Sequence, residues 1–322
     1  MAGTAFASTL INGAGATFPY PIYSKWFDVY ASVNPDVRFN YQSIGSGGGI
    51  KQITAKTVDF GASDGPMTDQ QLSEAPGRIF HIPTVMGAVV VAYNLPGIEK
   101  GLKLTPDVVA GIFLGKISKW NDAAITSANP GVTLPDTPIV VAHRSDGSGT
   151  TFIFVDYLCS INNEWKLGVG KGTSVNWPVG LGGKGNEGVT GIIKQTPGAV
   201  GYVELSYAVK NNLPFASIQN KSGNFIEPSL GSTSKAAEGV TIPSDFRVSL
   251  VNSSNPEAYP IAGFTWLLVY KNPDDPAKGK AIVDFIKWAI HDGQQYAKDL
   301  FYAPLPQDVV AMIDKKLQDV KV

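Results

Sequence analysis

The stretch VRFNYQSIGSGGGIKQITAKTVDFGASDGPMTDQQL, residues 37–72, constrains the fold more than any other part of the chain. VRFNYQSI alternates β-branched and aromatic residues with polar ones, as a half-buried strand does. GSGGG breaks that period, and IKQITAKT resumes at helical spacing. VDFGAS then reads as a second strand and MTDQQLSEA as a second helix. Strands that alternate with helices through short glycine-rich turns predict an α/β sheet with parallel strands, because a parallel neighbour needs a crossover helix. Sheets of this kind bind ligands at the carboxyl ends of their strands.

Two further runs, VMGAVVVAYN (85–94) and FTWLLVYKN (264–272), are apolar on both faces and predict fully buried central strands. At 322 residues the chain is too long for one typical core, so either run suits a passage between two domains. Between them lies a section rich in Gly, Asn and Pro. Beyond them PAKGKAIVDFIKWAIHDGQQYAKDL and PQDVVAMIDKKLQDV have helical spacing. No internal repeat is visible.

Charge narrows the partners. Only 16% of residues are charged, against about 25% in a typical soluble protein, and the formal net charge is −1 with no basic block or acidic tail. Nothing recruits nucleic acid or an anionic membrane, so an anionic ligand must be held by local geometry. The single cysteine, Cys159, excludes an internal disulfide and reads as a small buried hydrophobe on a helix. Three scattered histidines give no paired metal-ligand spacing, so no metal is expected. The N-terminus lacks a secretory signal, but Ala5-Phe6-Ala7 resembles the end of one, so the chain is either cytosolic or a mature form whose signal peptide is absent.

RSDGSGTTF (144–152) precedes the apolar helical face of Phe152, Val155, Leu158 and Cys159, which places its hydroxyl run at a helix N-terminus. Ser148, Gly149 and Thr150 there offer backbone N–H groups, hydroxyls and the positive end of the helix dipole. Arg144 adds a planar fork that suits a tetrahedral oxyanion. Taken alone, such a stretch is more often an ordinary Ser/Thr cap. The pattern recurs, however, in INGAGATFPY with Thr17 and Phe18, in SIGSGGG with Ser46 and in FGASDG with Ser63 and Asp64. Four such loops converging on one crevice make an anion site built from dipoles.

Asp64 is unusual in such a site, because a carboxylate repels a fully deprotonated anion. A ligand that still carries a proton can donate a hydrogen bond to it, as phosphate can at neutral pH and sulfate cannot. As a bare helix cap Asp64 is equally accounted for. GLGGKG (180–185) matches a dinucleotide fingerprint only in letters, since the preceding VNWP is short and interrupted by proline. GVGKGTS lacks the spacing of a nucleotide phosphate loop, and DGSGT is not a nucleophile elbow.

These segments resemble the PstS family, the extracytoplasmic receptors of phosphate-specific ABC import systems. The resemblance rests on GAGATFPYPIYSKW, IGSGGGIKQI, VDFGASDGPM, IPTVMGAVVVAYNLPG, FLGKISKWND, RSDGSGTTF, WPVGLGGKGNEGV, PGAVGYVE and YAPLP, which span nearly the whole chain. Departures occur at Ser145 and in a shortened segment after Asn224. The resemblance implies phosphate ligation by Thr17, Phe18, Ser46, Asp64, Arg144, Ser148, Gly149 and Thr150, with Asp146 holding Arg144. It also implies a two-lobed periplasmic-binding-protein fold, each lobe a mixed sheet flanked by helices and joined by a hinge. Lobe one would comprise 1–92 plus 265–322 and lobe two 93–264. The expected protein is a periplasmic or extracytoplasmic monomer that delivers inorganic phosphate to the membrane permease subunits of an ABC importer, without cofactor and without catalysis. The competing reading is a phosphatase or phosphoryl-transfer enzyme with Ser148 as nucleophile. A third keeps the binding fold but changes the ligand to a phosphonate or another protonated oxyanion.

Overall fold

The computed structural model describes residues 8–322, so Ala5-Phe6-Ala7 lies outside the described residues. Eleven strands are formed among them: β1 (Thr9–Gly15), β2 (Val37–Ser43), β3 (Phe60–Ser63), β4 (Ile79–Tyr93), β5 (Lys103–Leu104), β6 (Val140–Arg144), β7 (Leu181–Gly183), β8 (Ala199–Glu204), β9 (Ser217–Gln219), β10 (Phe225–Ile226) and β11 (Ala262–Tyr270). Eight make one sheet in the order β2-β1-β3-β11-β4-β8-β6-β7, and β10-β9-β5 form a small second sheet.

The outer strands are parallel, as the alternation of strands and helices predicts. The two central ones are not: β11 runs antiparallel to both β3 and β4, and β4 antiparallel to β8. The sheet is therefore mixed. All 15 residues of β4 and all nine of β11 are buried, in agreement with their unbroken apolar runs. β4 pairs with β11 through Ala88 and with β8 from Val89 onward, so one strand of about 50 Å belongs to both halves of the sheet. At Pro83, which has no N–H for the ladder, the register slips beside Thr265.

Each half has its own aromatic packing. Phe27, Phe39, Tyr41, Phe60 and Phe285 fill the first, with Phe39 and Phe285 ring centroids 4.5 Å apart. Phe113, Phe154, Trp177 and Tyr202 fill the second, with Phe154 and Tyr202 stacked at 4.5 Å. Rings of this size supply much of the burial that stabilises a core.

Two local expectations need correction. The helical pattern after Pro276 does not run through Leu300: the helix ends at Ile290, and two 3₁₀ turns, Asp292–Tyr296 and Lys298–Leu300, follow. Trp26 Nε1 donates to the Gly293 carbonyl at 2.7 Å, which ties the first of these turns to the helix Tyr20–Val33. Cys159 lies on the helix Gly149–Ile161 but is only half-buried, and burial pushes its thiol pKa up.

The helix Ser46–Thr54 lies against β1 and β3, and its position depends on Gly49. A Cβ there would stand 2.6 Å from Gly15 Cα and 2.7 Å from the carbonyl oxygens of Ala14 and Ala62. These are strand backbone atoms that cannot step aside. Gly49→Ala should therefore cost about 1–3 kcal/mol, read as a lower urea midpoint with an unchanged m-value. A midpoint within error of the wild type would show that the helix can ride higher without penalty.

Candidate functional site

Three parallel strands from each half of the sheet, the two sets running in opposite directions, end on one crevice, and each strand delivers part of a single buried polar cluster. Thr17 and Phe18 follow β1, Ser46 follows β2 and Asp64 follows β3. From the other half, Arg144 closes β6, Asn186 follows β7 and Glu204 closes β8. Thr17, Ser46, Asp64, Arg144, Ser148, Thr150, Asn186 and Glu204 are all buried. The residues singled out from sequence are thus brought together, in a chain of contacts that crosses between the halves.

Ser46 is the central crossing. Its Oγ accepts the N–H of Asp64 at 3.2 Å from its own half and that of Gly149 at 3.0 Å from the other. Glycine at 149 permits this approach, since a Cβ would lie 2.4 Å from Asp64 Oδ2. Alongside, Gly47 N–H donates to the Gly147 carbonyl at 2.9 Å, with glycine facing glycine. Gly149 N–H, expected to point at a ligand, here fixes the Ser46 hydroxyl.

The other hydroxyls are held in the same way. Thr17 Oγ1 accepts from Asn186 N at 3.1 Å and from Asn186 Nδ2 at 2.7 Å, and Thr150 Oγ1 accepts from the same Nδ2 at 3.1 Å. Ser148 caps the helix Gly149–Ile161, its Oγ accepting Thr151 N–H at 3.0 Å. A hydroxyl has two acceptor positions and one hydrogen. Ser46 and Thr17, which each accept two N–H groups, are left to present their hydrogens, whereas Thr150 and Ser148 accept one each and are only biased that way. Among the described residues the backbone N–H groups of Thr17, Phe18 and Thr150 have no protein acceptor. They add to a crevice made almost wholly of donors.

Arg144 is bound edge-on by Asp146, with Nε to Oδ1 at 2.7 Å and Nη2 to Oδ2 at 2.5 Å. Burial works to raise the Asp146 pKa, but the Arg144 hydrogen bond and charge and the Gly185 N–H outweigh it and hold the carboxyl low. The pair is formally neutral, so the crevice carries little net charge.

Asp64 is the acceptor in this shell. Burial raises its pKa to about 7 against the opposing hydrogen bond from Thr265, the charge of Arg144 and the contact with Ser46. Thr265 Oγ1 donates to Oδ1 at 2.8 Å. Oδ2 faces Gly149 across the join.

Asn186, Thr265 and Glu204 were not singled out from sequence. The sequence marks Asn186 only as an amide directly after a glycine-rich turn, and its burial is seen in the structure alone. The nucleophile reading of Ser148 finds no base: its hydroxyl caps a helix, while His143 stacks on Trp177 at 5.0 Å and faces the Arg144 carbonyl.

The chain matches the family described as a PBP superfamily domain over residues 2–292. It is 48% identical over 310 residues to the phosphate-binding protein PstS of Xylella fastidiosa (strain 9a5c), covering 95% of this chain and 84% of that one. It is 47% identical to the PstS protein of Pasteurella multocida (strain Pm70), covering 94% and 88%. Among solved structures it resembles the phosphate-binding protein from Stenotrophomonas maltophilia, with a TM-score of 0.69, 19% identity and coverage of 97% and 94%. That likeness supports the two-lobed periplasmic-binding-protein fold.

Glu204 sits behind the crevice. Its Oε2 accepts Ser206 N–H at 2.9 Å and lies 3.2 Å from the Tyr302 hydroxyl, whose own hydrogen has the Phe18 carbonyl at 2.5 Å. A protonated Glu204 can complete this arrangement by donating to Tyr302, and burial raises its pKa to about 8. The folded chain then holds a proton that an unfolded chain releases near 4.5. The folded state binds more protons throughout that window, so stability is greatest below it and falls as pH rises through it. The ligand-free protein should lose at most on the order of 4 kcal/mol between pH 5 and 8.5 by this route, measured by urea unfolding. Glu204→Gln should flatten the decline, and a variant that keeps all of it would mean that Glu204 is not held neutral.

Proposed function

The chain belongs to the PstS family of phosphate-binding proteins, and on that premise we propose that it binds inorganic phosphate in this crevice outside the cytoplasm and passes it unchanged to the membrane permease of an ABC importer. The observation that carries the reading is the single acceptor among donors. Hydroxyl hydrogens of Thr17, Ser46, Ser148 and Thr150, backbone N–H groups and the free edge of Arg144 surround Asp64. A tetrahedral dianion with one remaining proton satisfies all of them, its oxygens taking the donors and its proton going to Asp64. Sulfate has no proton to offer, and facing a buried carboxylate without one costs affinity on the order of 10⁴-fold or more.

In the proposed division, lobe one is 1–92 plus 265–322 and lobe two is 93–264, with β4 and β11 as the crossings. Thr17, Phe18, Ser46 and Asp64 then form one jaw and Arg144 to Thr150 the other, and the described arrangement corresponds to a closed state. The Ser46 bridge and the Gly47–Gly147 contact support this division, since both join residues far apart in sequence. The protein needs no metal or cofactor for this role and works as a monomer.

Two outcomes follow. Because Asp64 gains a proton below about pH 7, and a protonated carboxyl donates where a carboxylate accepts, sulfate should bind at least roughly tenfold better at pH 5.5 than at pH 8.5. Isothermal titration with both anions reads this directly. Asp64→Asn should accept sulfate at either pH, and sulfate binding that tracks pH equally in wild type and variant would remove Asp64 from the discrimination. Separately, Gly149→Ala should hold the jaws apart and weaken phosphate binding roughly a hundredfold, with little change in melting temperature without ligand. Wild-type affinity in that variant would argue against closure at this contact.

A further inference from the structure

We propose that Asn186 is a positioning residue that sets the donor character, and so the pH-dependent phosphate affinity, of the crevice by fixing which way two threonine hydroxyls point, one on each jaw. The inference rests on the anion-binding reading above. Asn186 is fully buried, directly after Gly185, whose positive φ of 70° turns the chain into the helix Gly185–Gln195. Its backbone N–H and its Nδ2 both donate to Thr17 Oγ1, and Nδ2 also donates to Thr150 Oγ1.

The orientation of the amide follows from its fourth contact. Asn186 Oδ1 accepts the backbone N–H of Glu204 at 2.9 Å. Flipping the amide would place Nδ2 against that N–H, so the oxygen and nitrogen are assigned by the network. Both Nδ2 hydrogens therefore go to threonine oxygens. Thr17 Oγ1, which already accepts two N–H groups, has only its own hydrogen left to offer. Thr150 Oγ1 accepts one N–H, which biases it in the same sense. Neither threonine could be relied on as a donor without this, because a free hydroxyl rotates to suit whatever faces it.

Asn186 also couples the jaws. Thr17 follows β1 in one half, and Thr150 begins the helix after β6 in the other. Asn186 lies in the same half as Thr150, so Thr150 is oriented within its own jaw and Thr17 is brought into line with it only when the halves meet. The Tyr207 hydroxyl, which donates to the Thr17 carbonyl at 2.6 Å, anchors the same loop from the second half.

The test compares phosphate titrations of wild type, Asn186→Asp and Asn186→Ala between pH 5 and 9, with Asn186→Ala repeated in a Thr17→Val/Thr150→Val background. The carboxylate of Asn186→Asp cannot donate, so both hydroxyls turn toward it and present lone pairs to the ligand. Phosphate affinity at pH 8.5 should fall roughly a hundredfold or more, and the deficit should shrink toward pH 5, where the ligand carries a second proton to donate. In the valine background the Asn186→Ala loss should largely disappear, because the groups it acts through are gone. A wild-type pH profile in Asn186→Asp, or an Asn186→Ala loss that persists undiminished without the hydroxyls, would reduce Asn186 to packing and overturn the proposal. Wild-type protein that binds no phosphate at any pH would instead overturn the anion reading itself, and this one with it.

Discussion

The rest of the site depends on one constraint: a hydroxyl whose oxygen is already taken by N–H groups can only give its hydrogen. Ser46 takes N–H groups from Asp64 and Gly149, Thr17 takes two from Asn186, Thr150 takes one from Asn186 and Ser148 takes one from Thr151. Ser46 and Thr17, which in water serve as donor or acceptor with equal ease, become donors of fixed direction, and Thr150 and Ser148 are biased the same way. The folding of the loops sets this polarity, so no reorganisation is left to be done when a ligand arrives. Fixed dipoles of this kind act more strongly in a buried crevice than in water.

The same constraint explains why a chain with few charges can be built around an anion. Arg144 is neutralised along one edge by Asp146, and burial raises the Asp64 pKa to about 7. A crevice with surplus positive charge would take any anion and release it slowly. One that balances its charges and relies on directed hydrogens distinguishes ligands by where their protons are. In the proposed reading Asp64 is the test that a ligand must pass, and Thr265, which occupies Oδ1, leaves Oδ2 for it.

Much of this was legible in the sequence. The alternation across residues 37–72 gave the strand-to-helix loops, the two unbroken apolar runs gave β4 and β11, and the recurrence of small hydroxyl residues marked the loops that meet at the crevice. What stayed hidden depends on proximity between distant segments. The antiparallel sense of β4 and β11 cannot be read from apolarity, which reports burial and not direction. Thr265 lies 201 positions from the Asp64 it contacts, on a strand where a threonine has no pattern to distinguish it. Glu204 ends an apolar strand and looks like an ordinary helix cap, a role it also performs for Ser206. Asn186 lies in a glycine-rich turn whose letters suggest a nucleotide motif, and only its contacts with Thr17 and Thr150 reveal its use.

The placement of the second layer has a mechanical consequence. β4 passes without a break from one half of the sheet to the other, so the halves share a stiff element at the back. At the crevice they are joined by hydrogen bonds and by glycine backbones in contact. Tyr302 and Glu204 lie behind the crevice, and Tyr302 reaches the Phe18 carbonyl, the residue whose N–H faces the crevice. A bend that separates the jaws thus breaks polar contacts at the crevice while leaving the two aromatic cores intact. The groups that open are the ones a ligand or water can satisfy, and the groups that stay are apolar. Opening therefore costs little solvation, whereas disrupting either core would expose large rings, and this difference directs motion to the crevice.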